Sequence, residues 1–415
     1  MKLFNHIKHW LEDGEHQFYL YLVVLMIPNF VLNITEPLSY AAKICNLLLP
    51  LACYYIIMTL SDNLGKMIWI LFPALFLGAF QLVLLYLFGH SVIAVDMFLN
   101  LVTTNANEAL ELLDNLLPAV VIVLIIYVPT LLLATITLVK KQRLPHTFVR
   151  RSRKRAGGIL ALGILSLGIA TGVGKNYAVT NDLFPVNVIR NGAIAVERST
   201  LTEQYHATSA GYTFHARASH AAARREVYLL VIGETSRADN WSLFGYSRNT
   251  NPLLSQETGL VAYPHTLSQS NTTHKSVPML LSDIDAHNFD SIYYRKSIIT
   301  AFREAGFYTA FFSNQRYNHS FIDFFGDEAD TIRFIKEEAG EDGRNLRDEA
   351  LLPLVAAQLK ADYPKQLIVL HTYGSHFNYR ERYPADDAYF RPDYPVDAKP
   401  KYRDNLVNAY DNTIR

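Results

Sequence analysis

LLVIGETSRADNWSLFGYSRNTNP, residues 229–252, begins as an apolar strand and continues as a polar turn that opens with Glu234 and Thr235. Similar strand-like runs alternate with helix-like segments further along the chain. Such alternation predicts a largely parallel sheet covered on both faces, with strands at 227–232, 308–312 and 366–371 and helices near 296–305 and 347–361. Ligands of these sheets bind at the carboxyl ends of the strands. Glu234 and His371, which end two of the strands, are therefore predicted to lie at one site.

The first 175 residues have a different character, because apolar runs of roughly the length of a membrane span follow one another. They predict five transmembrane helices, at about 18–34, 43–60, 67–89, 117–139 and 157–174. The first run is not a cleavable signal peptide, since no small-residue cleavage site follows it and four more spans come after it. Five buried helices of a soluble protein are the alternative, and the length of the runs disfavours it.

Basic residues predict how these helices are oriented. The stretch KKQRLPHTFVRRSRKR, residues 140–155, is strongly cationic, Lys2 and Lys8 lie near the N-terminus, and residues 90–116 contain no Lys or Arg. The N-terminus and the loop 140–155 should therefore face the cytoplasm. An odd number of spans then places everything after residue 175 on the opposite side of the membrane.

The predicted organisation is a transmembrane domain over 1–175, a linker over 176–225 and an α/β domain over 226–415. The linker is polar and irregular, and we interpret it as helical pieces that can lie on the membrane surface. Lys+Arg and Asp+Glu both number 38, so no net charge attracts the chain to nucleic acid. Both cysteines, Cys45 and Cys53, fall in the second span, so the exported domain contains no disulfide.

A second polar segment, SQSNTTHKSVPMLLSD at 268–283, precedes an apolar helix. Proline is best tolerated in the first turn of a helix, so Pro278 predicts a helix that begins shortly after Thr273. A hydroxyl at that position experiences the positive end of the helix dipole, which favours an alkoxide or a bound phosphate. Taken alone, the threonine pair is more often a helix cap than a nucleophile.

Five stretches together resemble the bacterial phosphoethanolamine transferases, relatives of alkaline phosphatases and sulfatases that include the enzymes of lipid A modification and mobile colistin resistance. They are GETSRADNWSLFGYSRNTNPLL (233–254), NLVTTNANEAL (100–110), TTHKSVP (272–278), VLHTYGSHFNYRERYP (369–384) and NAYDNTI (408–414). The resemblance covers nearly the whole chain. It implies an alkaline phosphatase/sulfatase-like α/β domain behind a five-helix membrane bundle, and a role in polymyxin resistance.

The resemblance also implies roles for residues of the site. Glu234 would be a zinc ligand, and Thr273 would be a second ligand and the nucleophile, since zinc stabilises the alkoxide that a threonine rarely forms unaided. Thr235 would shape the turn. His376 would contact the transferred phosphate or a second zinc ion, and His371 would bind substrate or, equally well, serve a structural role.

Two further features concern the substrate. Asn100, Thr104 and Glu108 follow one another at four-residue steps and would share one face of a helix; the resemblance implies that they bind the ethanolamine phosphate headgroup, whereas an ordinary amphipathic surface helix is the alternative. His319 lies about where relatives have a phosphate-contacting lysine. Because this chain departs from the relatives at that position, we expect His319 outside the main site.

One motif of the family is missing. Zinc in these enzymes also needs ligands from an S-D-H-G-E stretch and a later histidine, and no D-H-G occurs in the 415 residues. The remaining Asp and His ligands are expected beyond residue 415, since two oxygen ligands cannot complete a tetrahedral zinc site. The interpretation is an α/β domain truncated at its C-terminus and a chain that is inactive alone.

The expected activity is transfer of phosphoethanolamine from phosphatidylethanolamine to lipid A, the lipopolysaccharide core or another envelope glycan, through a phosphothreonine intermediate. A phosphodiesterase or other hydrolase of the same superfamily is one alternative; for a sulfatase, the C-x-[PS]-x-R signature is missing. An inactive membrane-bound remnant is the other. The destination of the phosphoethanolamine group, an envelope glycan or water, separates transferase from hydrolase.

Overall fold

The computed structural model describes residues 10–103, 106–173, 177–221, 223–340, 346–396 and 399–415. The chain divides into two compact units, one drawn from Met1–Val102 and Leu113–Glu197 and the other from Thr103–Leu112 and Arg198–Arg415.

Helices dominate the first unit. They are α1 (Gly14–Thr35), α2 (Tyr40–Met58), α3 (Leu64–Ile70), α4 (Phe72–Phe88), α5 (Val95–Thr103), α6 (Ala106–Val139), α7 (His146–Val173), α8 (Val179–Asp182) and α9 (Val186–Glu203). Among the described residues, four helical segments are long and apolar enough to cross a membrane. They are α1, α2, α7 and the Leu116–Val139 part of α6. If the bent pair α3 and α4 counts as one span, the number rises to five. The apolar N-terminal bundle is thus confirmed.

The third predicted span, 67–89, is not one straight helix. It is replaced by α3 and α4, which meet at Leu71 at an angle of 59°. Pro73 lies in the first turn of α4, where its missing N–H costs nothing, but within a continuous helix it would remove a hydrogen bond and clash with the preceding turn. The fifth predicted span, 157–174, corresponds to α7, which is longer than predicted. It starts at His146 and continues through the basic stretch, because Arg and Lys side chains favour helix.

Aromatic side chains fill the core of this unit, and Phe18, Tyr21 and Phe148 are fully buried. Two hydrogen bonds between buried polar side chains and distant parts of the chain cross this core, as burial in an apolar environment favours. The Thr137 hydroxyl donates to Gln17 at 3.0 Å, and the Asn29 amide donates to the carbonyl of Phe184 at 2.8 Å.

The second unit is built on a four-stranded parallel sheet. Its elements are α10 (Tyr205–Thr208), β1 (Glu226–Ile232), α11 (Thr273–Leu280), α12 (Ile298–Glu304), β2 (Tyr308–Ser313), α13 (Phe321–Gly326), β3 (Thr331–Phe334), α14 (Ile335–Glu338), α15 (Leu352–Lys360), β4 (Lys365–His371) and α16 (Arg403–Ile414). The strand order is β1-β4-β2-β3, and Ile232, His371 and Ser313 are neighbours in register. The parallel sheet is confirmed, and the ends of β1 and β4 lie side by side as predicted.

Alternating residues of the central strands enter two cores, one on each face of the sheet. Phe311, Leu367 and Val369 belong to one apolar cluster, and Phe312 and Ile368 to the other. Burial on both faces explains why β4 is apolar without alternation. β1 differs from the expectation of full cover: it lies at the edge of the sheet, and its Tyr228, Leu229 and Val231 side chains are about half exposed.

The predicted linker 176–225 does not remain separate from the α/β unit. Tyr205 is fully buried, its ring packs on Phe321 and Phe324, and its hydroxyl donates to Glu328 at 2.6 Å. The second unit therefore starts at Arg198 rather than at 226. The packing of Tyr205 could not be predicted from the polar sequence around it, because a single aromatic residue produces no apolar periodicity.

Candidate active site

Glu234 and Thr273 come together at the carboxyl end of the sheet. Glu234 lies two residues after β1 and Thr273 is the first residue of α11. The Thr273 Oγ1 lies 3.1 Å from Oε1 and 2.9 Å from Oε2 of Glu234, so the hydroxyl donates into the fork of the carboxylate. Thr235 donates its own hydroxyl to Glu234 Oε1 at 2.7 Å. The carboxylate thus receives two hydroxyls, and the site can orient Thr273 and accept its proton.

The helix that carries Thr273 begins at this residue itself, with Thr272 as the N-cap. The inference from Pro278 was therefore wrong in detail, since Pro278 lies in the second turn of an eight-residue helix. Pro278 has no N–H and so removes one hydrogen bond from the helix, which ends two residues later. Val277, Pro278 and Met279 are all buried. Packing on the core outweighs the cost of the proline.

The loop after β4 holds the backbone of Glu234. The amide of Ser375 donates to the Glu234 carbonyl at 3.0 Å. Gly374 has φ +48°, and a Cβ at this position would lie 2.8 Å from the Glu234 carbonyl oxygen. Only glycine fits such a backbone conformation and approach. Asp348 fixes this loop from the other side by accepting from the amides of Tyr373 (2.8 Å) and Gly374 (2.9 Å).

His376 is half-buried in the same loop. Its Nδ1 lies 2.6 Å from the carbonyl oxygen of Phe377. Because a carbonyl oxygen only accepts, Nδ1 carries a hydrogen, which leaves Nε2 to bind a metal ion through its lone pair or, in the imidazolium form, to donate to a phosphate oxygen. Arg382 donates to the His376 carbonyl at 3.0 Å and stacks over Tyr373, with 4.2 Å from its Cζ to the ring centroid.

His371 is placed differently from a substrate ligand. Its ring is 1% exposed, and burial lowers its pKa to about 4, although Asp348 opposes the shift. Among the residues that the structure describes, neither ring nitrogen has a hydrogen-bond partner. Burial of this degree favours the structural alternative for His371, and contact with substrate stays a prediction.

Asp411 organises the polar segment after β1, and sequence reasoning gave it no role although NAYDNTI was among the matching stretches. Its carboxylate is fully buried. It accepts from Asn240 at 2.8 Å, Tyr246 at 2.9 Å and Arg248 at 2.6 Å. The guanidinium of Arg248 also lies over the Phe390 ring, 4.1 Å from its centroid. A buried carboxylate with a charged partner and two more donors is satisfied, and it joins α16 to the loop that follows Glu234.

Tyr410 provides a second connection, directly to the turn. Its hydroxyl accepts from the amide of Arg237 at 2.7 Å and donates to the carbonyl of Thr235 at 2.7 Å. Burial raises the pKa of Tyr410, so the hydroxyl keeps its hydrogen. Thr235 has φ +55°, a conformation that is costly for a threonine. The expectation that Thr235 shapes the turn agrees with this geometry, and Tyr410 holds the strained turn in place.

Of the remaining predicted residues, the structure describes only the side chain of His319, which does not join this group. Thr104 and the side chains of Asn100 and Glu108 lie outside the described part of the chain, and the helical assignment is α5 around Asn100 and α6 around Glu108. His319 is exposed, with φ +58°, in a loop whose Asn318 amide donates to Asp323 at 2.6 Å.

Glu234 and Thr273 offer adjacent oxygens of the kind that zinc accepts. Within the described ranges, no group of three or more His, Cys, Asp and Glu side chains could hold a metal ion. The residues therefore fit two positions of a zinc shell in chemistry, and they do not complete the shell.

Known proteins match both the domain and the whole fold. Residues 226–415 match the family model described as Sulfatase. These residues are therefore similar to a sulfatase-family domain. The Kdo(2)-lipid A phosphoethanolamine 7''-transferase of Escherichia coli K12 is 32% identical over 193 residues, which cover 45% of this chain and 33% of that protein. Phosphoethanolamine transferase EptA of the same strain is 30% identical over 197 residues, 46% of this chain and 35% of that protein.

The sulfatase-family domain and the helices before it also match one solved structure along almost the entire chain. This is the integral membrane protein lipooligosaccharide phosphoethanolamine transferase A from Neisseria meningitidis, with TM-score 0.69, 20% identity and coverage of 97% of this chain and 77% of that chain. The match confirms the predicted fold of an apolar helical bundle followed by a sulfatase-like α/β domain. The alignments span about a third of the length of the curated relatives.

Proposed function

We propose that the protein is a phosphoethanolamine transferase of the bacterial inner membrane. The donor is phosphatidylethanolamine, and the acceptor is lipid A, the lipopolysaccharide core or another envelope glycan. The observation that carries the proposal is the Thr273 hydroxyl held at 2.9 and 3.1 Å from both oxygens of Glu234. The relatives named as phosphoethanolamine transferases support the choice of the transferred group.

In the first step, Oγ1 of Thr273 attacks the phosphorus of the donor while its proton passes to Glu234. A bond forms between Thr273 and phosphorus, the bond from phosphorus to the diacylglycerol oxygen breaks, and the proton that Glu234 received passes to the leaving diacylglycerol oxygen. In the second step, an acceptor hydroxyl attacks the phosphothreonine, the bond from phosphorus to the Thr273 oxygen breaks, and the proton of the acceptor passes through Glu234 to Thr273. Two displacements at one residue keep the donor and acceptor from having to bind in line at the same moment.

Zinc is proposed as the cofactor, with Glu234 and Thr273 as two of its ligands. The chemistry that bound zinc supplies is a positive charge next to the Thr273 oxygen, which favours its ionised form. The chain's own contribution is orientation: Thr235, Gly374 and Tyr410 hold Glu234 and its turn. His376 is proposed to contact the transferred phosphate.

We also propose that Asn100, Thr104 and Glu108 bind the ethanolamine phosphate headgroup, with the Glu108 carboxylate paired to the ammonium. The N-terminus is proposed to be cytoplasmic and the sulfatase-family domain periplasmic. Anchoring by the membrane helices keeps this domain at the bilayer surface, where the donor lipid is confined. Confinement raises the effective concentration of the donor.

The test uses the gene expressed in a host without other phosphoethanolamine transferases, followed by mass spectrometry of lipid A and core oligosaccharide. We expect added phosphoethanolamine with the unaltered gene, and a loss of about 10³-fold or more with Thr273→Val. The matched control is Thr272→Val, because this neighbouring hydroxyl contacts Ser270 (3.1 Å) rather than Glu234. It should retain activity within about threefold, as changes away from such contacts usually do.

Two outcomes would contradict the proposal. Unmodified envelope glycans together with release of free phosphoethanolamine would indicate a hydrolase. Equal activity of Thr273→Val and the unaltered protein would exclude Thr273 as nucleophile. Metal content gives an independent readout for the cofactor: Glu234→Gln should lower the zinc that copurifies with the protein, and an unchanged zinc content would remove Glu234 from the ligand set.

A further inference from the structure

A cavity of about 760 Å³ lies in the first unit, at the basic end of its helices. One wall is the turn after α2, and the opposite wall is the first two turns of α7. The lining residues that concern its chemistry are Thr59, Asp62, His146, Arg150, Arg153 and Lys154. The cavity is far from Glu234 and Thr273 in the sequence, and neither residue lines it. Its chemistry is therefore separate from the proposed reaction.

The basic side chains of the cavity share one face of a helix. Arg150, Arg153 and Lys154 are spaced three and four residues apart on α7, so their side chains point the same way. Arg153 is fixed, since its guanidinium donates to the carbonyl of Thr59 at 2.5 Å. The one acidic wall residue, Asp62, already pairs with Arg143 at 3.3 Å.

The other two cations are not neutralised by the protein. In the part of the chain that the structure describes, Arg150 and Lys154 have no ion-pair partner. Both side chains are exposed. Two cations beside a third that is fixed in place form a site for an anion, and guanidinium groups match the geometry of phosphate oxygens.

The position of the cavity along α7 indicates where that anion would be found. The apolar part of α7 begins at Ala156, and a helix rises about 1.5 Å per residue. Arg153 is then about 5 Å, and Arg150 about 9 Å, outside the apolar segment. The headgroup layer occupies roughly the 5–8 Å beyond each side of the hydrocarbon core. Arg153 thus lies at the depth of the lipid headgroups, and the long side chain of Arg150, whose backbone is about 1 Å outside that layer, can extend back into it.

An apolar residue is part of the wall that the turn after α2 forms. Leu60 lines the cavity and is 66% exposed. A site for a soluble anion has no need of an exposed leucine, whereas a phospholipid brings glycerol and acyl carbons that would cover it. We propose that this cavity binds the phosphodiester headgroup of an anionic phospholipid, with Arg150, Arg153 and Lys154 around the phosphate.

The experiment compares two double variants of equal charge change in nanodiscs that contain phosphatidylglycerol and phosphatidylethanolamine. Arg150→Gln with Lys154→Gln removes the unpaired cations of the cavity and leaves Arg153 bonded to Thr59. Lys140→Gln with Lys141→Gln is the matched control, since both lysines are exposed on the same basic loop and do not line the cavity. Native mass spectrometry of the released protein measures the phosphatidylglycerol that each variant retains.

We expect the cavity variant to bind phosphatidylglycerol roughly 30-fold more weakly than the unaltered protein, from the usual contribution of two basic residues near an anionic surface. The control should change binding by less than about threefold, because Lys140 and Lys141 do not line the cavity and would not contact the bound phosphate. Equal losses in both variants would mean general attraction to the basic loop and would overturn the proposal. No loss in either would overturn it as well.

A second arm identifies the source of the phosphate. Glycerol 3-phosphate is added to nanodiscs of phosphatidylethanolamine alone, and we expect no binding that depends on Arg150 and Lys154. Binding with the same dependence would assign the cavity to a soluble anion and overturn the lipid assignment. If the double variant fails to fold, Arg150→Gln and Lys154→Gln are tested singly, each with an expected loss of roughly fivefold.

Discussion

Replacement of Asp411 by alanine should unfold the sulfatase-family domain more easily, because the change removes the buried centre of a hydrogen-bonded group. Arg248 would lose a charged partner at 2.6 Å, and Asn240 and Tyr246 would each lose an acceptor. Removal of one partner from a buried ion pair costs about 3–5 kcal/mol. The Arg248 side chain is 30% exposed, so water solvates it in part, and we expect the lower end, about 3 kcal/mol. Asp411→Asn keeps the acceptor oxygen and should cost about 2 kcal/mol.

The assay follows the fluorescence of Trp241, which lies in the loop that Asp411 holds. The chain has three tryptophans, so Trp10→Phe and Trp69→Phe leave Trp241 as the single reporter in urea unfolding of the detergent-solubilised protein. Asp404→Asn is the control on the same helix, since Asp404 is exposed, and it should change the free energy of unfolding by less than about 0.5 kcal/mol. A loss below about 1 kcal/mol for Asp411→Ala would refute the reasoning that this carboxylate joins α16 to the loop.

Two further predictions concern the loop after β4 and the dependence of stability on pH. Gly374→Ala should lower the free energy of unfolding by about 2 kcal/mol or more, and also lower transfer activity, because its Cβ would approach the Glu234 carbonyl. Gly340 also has a positive φ but lies in open space, so Gly340→Ala should lower the free energy of unfolding by only about 1–2 kcal/mol. Burial raises the pKa of Asp323 to about 7 and lowers that of His371 to about 4. Asp323 contributes to the free energy of unfolding below pH 3.8, and this contribution is lost as the pH rises towards 7. His371 contributes to the free energy of unfolding above pH 6.5, and its contribution is lost as the pH falls towards 4. The two contributions oppose each other, so Asp323→Asn leaves that of His371 alone, and the free energy of unfolding of this variant should fall by up to about 3 kcal/mol as the pH falls from 6.5 to 4. A free energy of unfolding that stays constant over this range would contradict this.

Periodicity and strand ends in the sequence were enough to predict the two-part architecture. Apolar runs that match the membrane thickness gave the bundle, and β1, β2 and β4 were visible as short apolar runs between polar turns. β3 was not predicted, because its four residues, Thr331–Phe334, include an arginine and a threonine and make no apolar run. The bend at Leu71 was also missed, although Pro73 offered a local indication of it.

Predicted element boundaries drew attention to the segments that contain Glu234 and Thr273, and the resemblance to the phosphoethanolamine transferases implied the roles of these two residues. Only the tertiary structure decided that these side chains, 39 residues apart, meet within 3.1 Å. It also gave Asp411, Tyr410 and Gly374 their roles, each through contacts with the turn after β1 that are distant in sequence. The propensity for helix or strand depends on neighbouring residues in the sequence, whereas a polar contact between distant segments depends on the packing that brings them together.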